Sequence, residues 1–250
     1  VTAPAVRIVD LTVSHDRHPA VHHLSGELAV GSLTAVIGPN GAGKSSLLQA
    51  VAGQIAPGGG RIEIAPALAG RMAYLPQQSH IDRSFPISVL DLVLLGHWRR
   101  SGAFGRIDAG ARGEAAQALA AVGLHGFERR LIGELSSGQF QRVLFARLLL
   151  QDAQLILLDE PFNAIDARTS ADLLDLVRRW HGEARTVVVV LHDLEQVRGH
   201  FPQALLLARE AVAWGPTAQV LRAENLFRAR QMAEHWDDAA PDCERTPLRA

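Results

Sequence analysis

The stretch Gly38-Pro-Asn-Gly-Ala-Gly-Lys-Ser-Ser46 decides the fold of this chain. It follows the pattern Gly-x4-Gly-Lys-Ser, with an apolar run at 33–37 before it and a helical pattern at 45–52 after it. In such a loop the glycines let backbone N–H groups surround an anion, and the next helix directs its N-terminus at the phosphates. The lysine reaches the β- and γ-phosphates, and the serine hydroxyl is a ligand of Mg²⁺. We therefore predict a nucleotide-binding loop that comprises Gly38, Pro39, Asn40, Gly41, Ala42, Gly43, Lys44, Ser45 and Ser46.

The use of basic residues supports this interpretation over a chance glycine-rich turn. The sequence has 25 basic residues, and Lys44 is the only lysine among them. A chain that otherwise uses arginine for positive charge therefore has a lysine at the one position where the loop requires it.

Composition limits the classes of protein to which the chain can belong. The sequence has 250 residues, of which 48% are apolar and 20% charged, which is typical of a globular protein with a sizeable core. A net charge of −1 argues against a strongly basic nucleic-acid binder, although it does not exclude a local basic patch. We expect no nucleic-acid partner. The lone cysteine, Cys243, allows no intrachain disulfide, which fits a reducing cytosol. No apolar run approaches the ~18 residues of a membrane span, so we expect the chain to be peripheral to any membrane.

The order of the predicted elements indicates the fold class. Residues 5–36 alternate between apolar and polar and predict short antiparallel strands, with turns near 15–19 and at Ser25-Gly26. Residues 77–150 have a helical pattern, with Ser88 and Asp108 as helix N-caps and a loop at 99–105. From Leu155 onward, strands alternate with helices, which predicts a parallel sheet. We therefore expect an α/β protein with a parallel core sheet, an antiparallel β subdomain and an inserted helical subdomain. It would form one domain over 1–236, followed by a polar tail at 237–250.

The run Leu155-Ile-Leu-Leu-Asp-Glu160 predicts the second half of the nucleotide site. Its apolar residues form a buried strand, and Asp159 emerges at the carboxyl end, where open parallel sheets bind ligands. Asp159 could hold Mg²⁺ there. Glu160 could polarise the water that attacks the γ-phosphate.

The segment Leu135-Ser-Ser-Gly-Gln139 precedes a predicted helix. A serine hydroxyl, a flexible glycine and helix N–H groups can form a second anion-binding cup. Considered alone, the segment is better explained as an ordinary helix start with a serine cap.

Together these segments resemble the ATP-binding subunits of ABC transporters, over nearly all of the chain up to about residue 230. The loop at 38–46 is similar to the Walker A motif, Asp159 to the Walker B aspartate, and residues 135–139 to the family signature Leu-Ser-Gly-Gly-Gln. Residues 164–166 resemble the D-loop. The resemblance implies an ATPase of the P-loop NTPase class that uses ATP and Mg²⁺ and works as a homodimer, with each ATP between the phosphate loop of one subunit and the signature of the other. It implies three catalytic residues, Glu160, His192 and Gln77; nucleotide contacts from Asp159, His15, Ser136, Gly138 and Gln139; and Mg²⁺ ligands at Ser45, Gln77 and Asp159.

Three positions depart from the family pattern. Ser137 replaces a signature glycine, so turnover would suffer if that position needs a positive φ. Asn163 stands where the D-loop usually has serine. His15 occupies the place of the aromatic residue that stacks on adenine, although it could equally be an exposed loop histidine.

The region from Tyr74 to Gly96 is most similar to ATPases of zinc- and manganese-type metal importers. This resemblance implies uptake of a divalent transition metal, with an integral membrane permease and a periplasmic or surface metal-binding protein as partners. It places the chain at the cytoplasmic face of the inner membrane. The 11 histidines are not support for this interpretation, because metal importers select their cargo on other subunits.

Two other classes of protein share the phosphate loop. A GTPase needs an Asn-Lys-x-Asp motif, which a chain without a second lysine cannot contain. The alternative is a non-transport ABC ATPase that acts on nucleic acid or ribosomes. Such proteins usually carry long coiled-coil inserts or two cassettes, whereas this sequence has one cassette and no heptad run.

Overall fold

A computed structural model of the chain describes residues 3–15, 18–77, 81–102 and 107–234, without the side chains of His15, Arg100 and Ser101. Its centre is a six-stranded sheet with the strand order β5-β6-β7-β3-β8-β9. The strands are β3 (Leu33–Ile37), β5 (Met72–Leu75), β6 (Leu155–Asp159), β7 (Thr186–Val190), β8 (Gln203–Ala208) and β9 (Glu210–Pro216). All neighbours pair in parallel except β8 and β9. β3, β6 and β7 are buried at every residue, as continuous apolar runs covered on both faces should be.

A separate antiparallel sheet has the order β2-β1-β4. Its strands are β1 (Val6–His15), β2 (His18–Leu28) and β4 (Gly59–Ile64). The predicted antiparallel subdomain is thus confirmed, but the turn expected at Ser25-Gly26 is wrong, because both residues lie inside β2. A Cβ atom on Gly26 would lie 2.3 Å from the ring of Trp214, so this glycine lets a tryptophan of β9 pack against the strand.

Helices cover the faces of the large sheet. They are α1 (Lys44–Val51), α6 (Ala167–Gly182), α7 (Leu194–His200), α8 (Thr217–Val220) and α9 (Ala223–Glu234). α6 is amphipathic and buries Leu173, Val177 and Trp180, and the Trp180 ring stacks on Phe145. β9, α8 and α9 were not predicted, because their apolar residues are too few or too irregular to show a period.

The inserted helices are α2 (Val89–Leu94), α3 (Trp98–Ser101), α4 (Ala109–Ala121) and α5 (Ser137–Gln151). Ser88 and Asp108 cap α2 and α4 as predicted, each accepting a backbone N–H three residues later. The loop predicted at 99–105 is wrong over its first residues, because Arg99 to Ser101 form the last part of α3. The rest of that loop, at 103–105, and the predicted tail at 237–250 lie outside the described residues, so the domain boundary at 236 stays a prediction.

Buried residues of α2, α4 and α5 belong to the same apolar core as one face of the large sheet. This shared core holds the helical insertion against the strands that carry the site. Over the part of the chain that the structure describes, each helix is too short or too polar to span a bilayer.

Candidate nucleotide-binding site

The carboxyl ends of three adjacent parallel strands open onto one cavity. The loop after β3, Glu160 after β6 and His192 after β7 all lie there, as ligand sites of open parallel sheets do. The cavity has a volume of about 850 Å³. It is lined by Asn40 to Ser46 and by His18, Pro19, Ala20, Gln77, Glu160, Asn163, His192 and Arg209.

The phosphate loop needs glycine at two positions for steric reasons. A Cβ atom on Gly38 would lie 1.9 Å from the carbonyl oxygen of Leu207, and one on Gly43 would lie 2.0 Å from that of Ala20. Both glycines also have positive φ, 151° and 88°. The loop therefore packs against the end of β8 and the start of β2. At these two positions a side chain larger than that of glycine would clash with the backbone.

Lys44 is the first residue of α1 and is buried, with 6% of its surface exposed. Its Nζ donates to the carbonyl oxygens of Gly38 and Pro39 at 3.0 and 2.8 Å. Burial lowers the pKa of the Lys44 ammonium, and the charges of Glu160 and Asp159 oppose that shift. The Lys44 ammonium therefore lies inside the loop, where it can contact an anion that the loop binds.

Asp159 is buried at the end of β6, with 1% of its surface exposed. Its Oδ1 accepts a hydrogen bond from Ser45 Oγ at 3.0 Å, and its Oδ2 accepts one from the Tyr74 hydroxyl at 3.5 Å. Burial raises the pKa of Tyr74, and the negative charge of Asp159 adds to the shift. The tyrosine therefore stays a neutral donor that orients the carboxylate. The fold brings together the hydroxyl and the carboxylate that were predicted as cation ligands.

Glu160 is surrounded by three polar side chains from different segments. Gln77 Nε2 donates to its Oε2 at 2.7 Å, Asn163 Nδ2 donates to the same oxygen, and His192 Nε2 lies 2.6 Å from its Oε1. Glu160 also has a positive φ of 49°, which turns the chain sharply after β6. The three predicted catalytic residues thus form one cluster. Asn163, noted in the sequence only as a departure, belongs to it as well.

The predicted signature residues begin α5. Ser136 Oγ accepts the backbone N–H of Gln139, and Gln139 Oε1 accepts that of Ser136, which is a complete capping box. Ser137 is the first residue of α5 and does not have a positive φ, so the condition under which it would cause strain is not met. Ser136, Gly138 and Gln139 do not line the cavity. Within a single chain, these three residues are therefore separated from the cavity of the phosphate loop.

Part of the cavity lining was not predicted from the sequence. The side chain of His15, the expected adenine contact, lies outside the described residues, whereas His18, Pro19 and Ala20 of β2 line the cavity there. Arg209, between β8 and β9, lines it too. Sequence alone gives no signal for Arg209, because its place depends on contacts with residues about 190 positions away.

Comparison with known proteins agrees with this geometry. Residues 21–163, more than half of the chain, match the sequence model of the family described as ABC transporter. A protein of Chlamydia pneumoniae named "probable metal transport system ATP-binding protein" is 40% identical over 223 residues, which are 88% of this chain and 86% of that one. A manganese transport system ATP-binding protein of Listeria monocytogenes is 39% identical, over 88% and 94% of the two chains. A zinc transport system ATP-binding protein of Treponema pallidum is 38% identical, over 91% and 87%.

A solved structure described as an inward-facing conformation of a metal-chelate type ABC transporter has a TM-score of 0.79 and 31% identity, over 90% of each chain. An ATP-binding cassette of an ABC transporter in its ADP conformation has a TM-score of 0.75 at 20% identity, a likeness of fold alone. Since the family's sequence pattern spans more than half of this chain, and relatives of about 40% identity align with most of it, the protein belongs to the ABC transporter family as an ATP-binding subunit with a P-loop NTPase fold.

Proposed function

We propose that this chain hydrolyses ATP as a homodimer on a membrane permease and powers the uptake of a divalent transition metal such as zinc or manganese. The observation that carries the ATPase part is the cavity in which the phosphate loop faces Glu160, Gln77 and His192. A loop alone would bind a nucleotide. A carboxylate oriented by two further polar groups beside it is what hydrolysis requires.

Each residue of the cluster has a distinct task in this proposal. Glu160 accepts a proton from the attacking water, and its two oxygens are already oriented by Gln77 and His192. His192 holds the water or the γ-phosphate in line, since it lies just beyond the end of β7 beside the carboxylate. Lys44 balances the negative charge of the β- and γ-phosphates.

The residues near Asp159 fit Mg²⁺ in chemical type. Ser45 and Asp159 present a hydroxyl and a carboxylate whose oxygens lie 3.0 Å apart. Gln77, which lines the same cavity as Ser45, carries an amide oxygen. Hard oxygen donors are what this cation prefers. When bound, Mg²⁺ would neutralise charge on the phosphates. Ser45, Gln77 and Asp159 are the residues we propose to hold it.

The separation of the two anion-binding segments supports the proposed homodimer. The start of α5 does not line the cavity of its own chain, so a second copy must supply Ser136, Gly138 and Gln139 if they are to contact the nucleotide. Pairing in opposite orientation would complete two equal sites.

The cargo and the membrane partner are inferred from the relatives. Their names describe manganese and zinc transport systems, and one solved relative is described as a metal-chelate type ABC transporter. We propose an integral membrane permease as the partner at the cytoplasmic face of the inner membrane, and a periplasmic or surface metal-binding protein in the same system.

The helical insertion carries most of the exposed apolar side chains. Among the described residues, seven large apolar side chains are exposed, and five of them lie between 85 and 131: Phe85, Leu95, Trp98, Ile107 and Leu131. Trp98 is 58% exposed on α3. An exposed aromatic side chain on a short helix is a suitable anchor for a partner helix.

Trp98→Ala should therefore weaken binding to the permease and leave the ATPase rate of the isolated subunit unchanged. We expect at least a tenfold loss of affinity, since a central tryptophan at an interface often contributes 2 kcal/mol or more. The measurement is co-purification of the ATPase with the permease after co-expression, followed by ATPase assays with and without metal and the metal-binding protein.

Phe227→Ala is the matched control, because Phe227 is 63% exposed on α9, outside the insertion. Equal effects of the two substitutions, or loss of basal ATPase activity with a lower Tm in Trp98→Ala, would contradict the docking role. Co-purification of the wild type with nucleic acid or ribosomes instead of the permease would contradict the transport function.

A further inference from the structure

We infer that Arg209 is a positioning residue of the nucleotide site, which fixes the wall that receives the nucleoside relative to the phosphate loop. This inference rests on the proposed ATPase function. Arg209 lies between β8 and β9, outside the predicted sequence motifs.

Arg209 joins three segments of the chain at the cavity. Its backbone N–H donates to the carbonyl oxygen of Ala42 in the phosphate loop at 3.0 Å. Its Nη1 donates to the carbonyl oxygen of Pro19 in β2 at 3.0 Å. Its own carbonyl oxygen accepts the backbone N–H of His22, two residues beyond Ala20 in the same strand, at 2.8 Å. One residue thus ties the antiparallel sheet, the phosphate loop and the large sheet together.

The backbone of Arg209 is held in a conformation that side chains rarely adopt, with φ of +62°. Such a conformation persists only where the surroundings fix it. The next residue adds a further link, because Glu210 Oε1 lies 3.2 Å from His22 Nδ1. The turn is therefore a fixed connection and not a loose loop.

The position of Arg209 in the cavity decides which part of the nucleotide it affects. Apart from the phosphate loop, the cavity lining falls into two groups of residues. Glu160, Gln77 and His192 form the cluster where the γ-phosphate would react. His18 to Ala20 with Arg209 form the wall that is left for the ribose and base. Since Arg209 holds Pro19, its loss should disturb binding of the nucleoside and leave the phosphates and the reaction unaffected.

Arg209→Ala tests this inference without changing the backbone strain, because alanine at φ of +62° is as disfavoured as arginine. We expect the Kd and KM for MgATP to rise about tenfold, the effect of losing one charged hydrogen bond, with kcat within about twofold of the wild type. Binding of magnesium tripolyphosphate, which has no nucleoside, should change by less than about twofold. Arg209→Lys keeps a charged donor that can reach Pro19 and should restore most of the affinity for MgATP.

Arg7→Ala is the control, because Arg7 also lies on the antiparallel sheet and makes a 2.7 Å ion pair with Glu27, but it does not line the cavity. Equal losses for MgATP and tripolyphosphate in Arg209→Ala would overturn the inference, and so would an affinity equal to that of Arg7→Ala. Wild-type protein that binds neither MgATP nor tripolyphosphate would overturn the proposed function itself, a result that no Arg209 variant could produce.

Discussion

Glu160→Gln should reduce the kcat of ATP hydrolysis by at least about 100-fold and leave the affinity for MgATP nearly unchanged, because a general base contributes about 10²- to 10⁴-fold to the rate. Glutamine has the same shape as glutamate but cannot accept the proton of the attacking water. The phosphate loop and Lys44 remain intact, so nucleotide still binds. Because the bound ATP is not consumed, the ATP-dependent dimer should persist long enough to be seen by size-exclusion chromatography.

Glu63→Gln is the matched control. Glu63 lies on β4 and pairs with Arg61 at 2.7 Å on the surface, away from the cavity, so its substitution should not alter kcat. Phosphate release and equilibrium binding of a fluorescent ATP analogue would be measured on both variants. Hydrolysis by Glu160→Gln at a rate near that of the wild type would show that Glu160 is not the base.

Lys44→Ala should abolish ATP binding at accessible concentrations. The ammonium donates to two carbonyl oxygens of the loop and would exchange these for phosphate oxygens, and charged hydrogen bonds are worth about 1.5–3 kcal/mol each. We therefore expect the Kd for MgATP to rise by at least about 100-fold. Binding would be measured by calorimetry.

Lys44→Arg separates charge from shape. Arginine keeps the positive charge, but its planar fork is larger than the ammonium, and the position is only 6% exposed. Its affinity should fall between those of the wild type and Lys44→Ala. Binding of MgATP by a folded Lys44→Ala variant, within about threefold of the wild type, would contradict the assigned role.

The sequence predicted the elements whose signals are local. A continuous apolar run marked β6, and the caps Ser88 and Asp108 marked the starts of α2 and α4, since each signal depends on residues a few positions apart. The phosphate loop was equally local. The resemblance to a known family supplied what these signals could not, which was the grouping of Gln77 with Glu160 and His192.

The remaining features depend on contacts between distant residues. β9 can be recognised as a strand only from its pairing with β8 and the packing of Trp214 against Gly26. Arg209 reaches Pro19 across 190 positions, and no period or spacing in the sequence reports such a contact. Asn163 was within reach of sequence reasoning, because it lies three residues after Glu160 and its side chain can fold back on the carboxylate.

The most direct test of the central claim, that the loop at 38–46 holds the phosphates of ATP, uses the only lysine of the sequence. Lys44 lines the cavity but is only 6% exposed, so a small amine-directed reagent should label it slowly in the absence of nucleotide. Bound MgATP should cover the amine and engage its charge. Mass spectrometry of the digested protein should then show Lys44 protected by saturating MgATP, with labelling of the α-amino group unchanged. Equal labelling of Lys44 with and without MgATP would contradict the account.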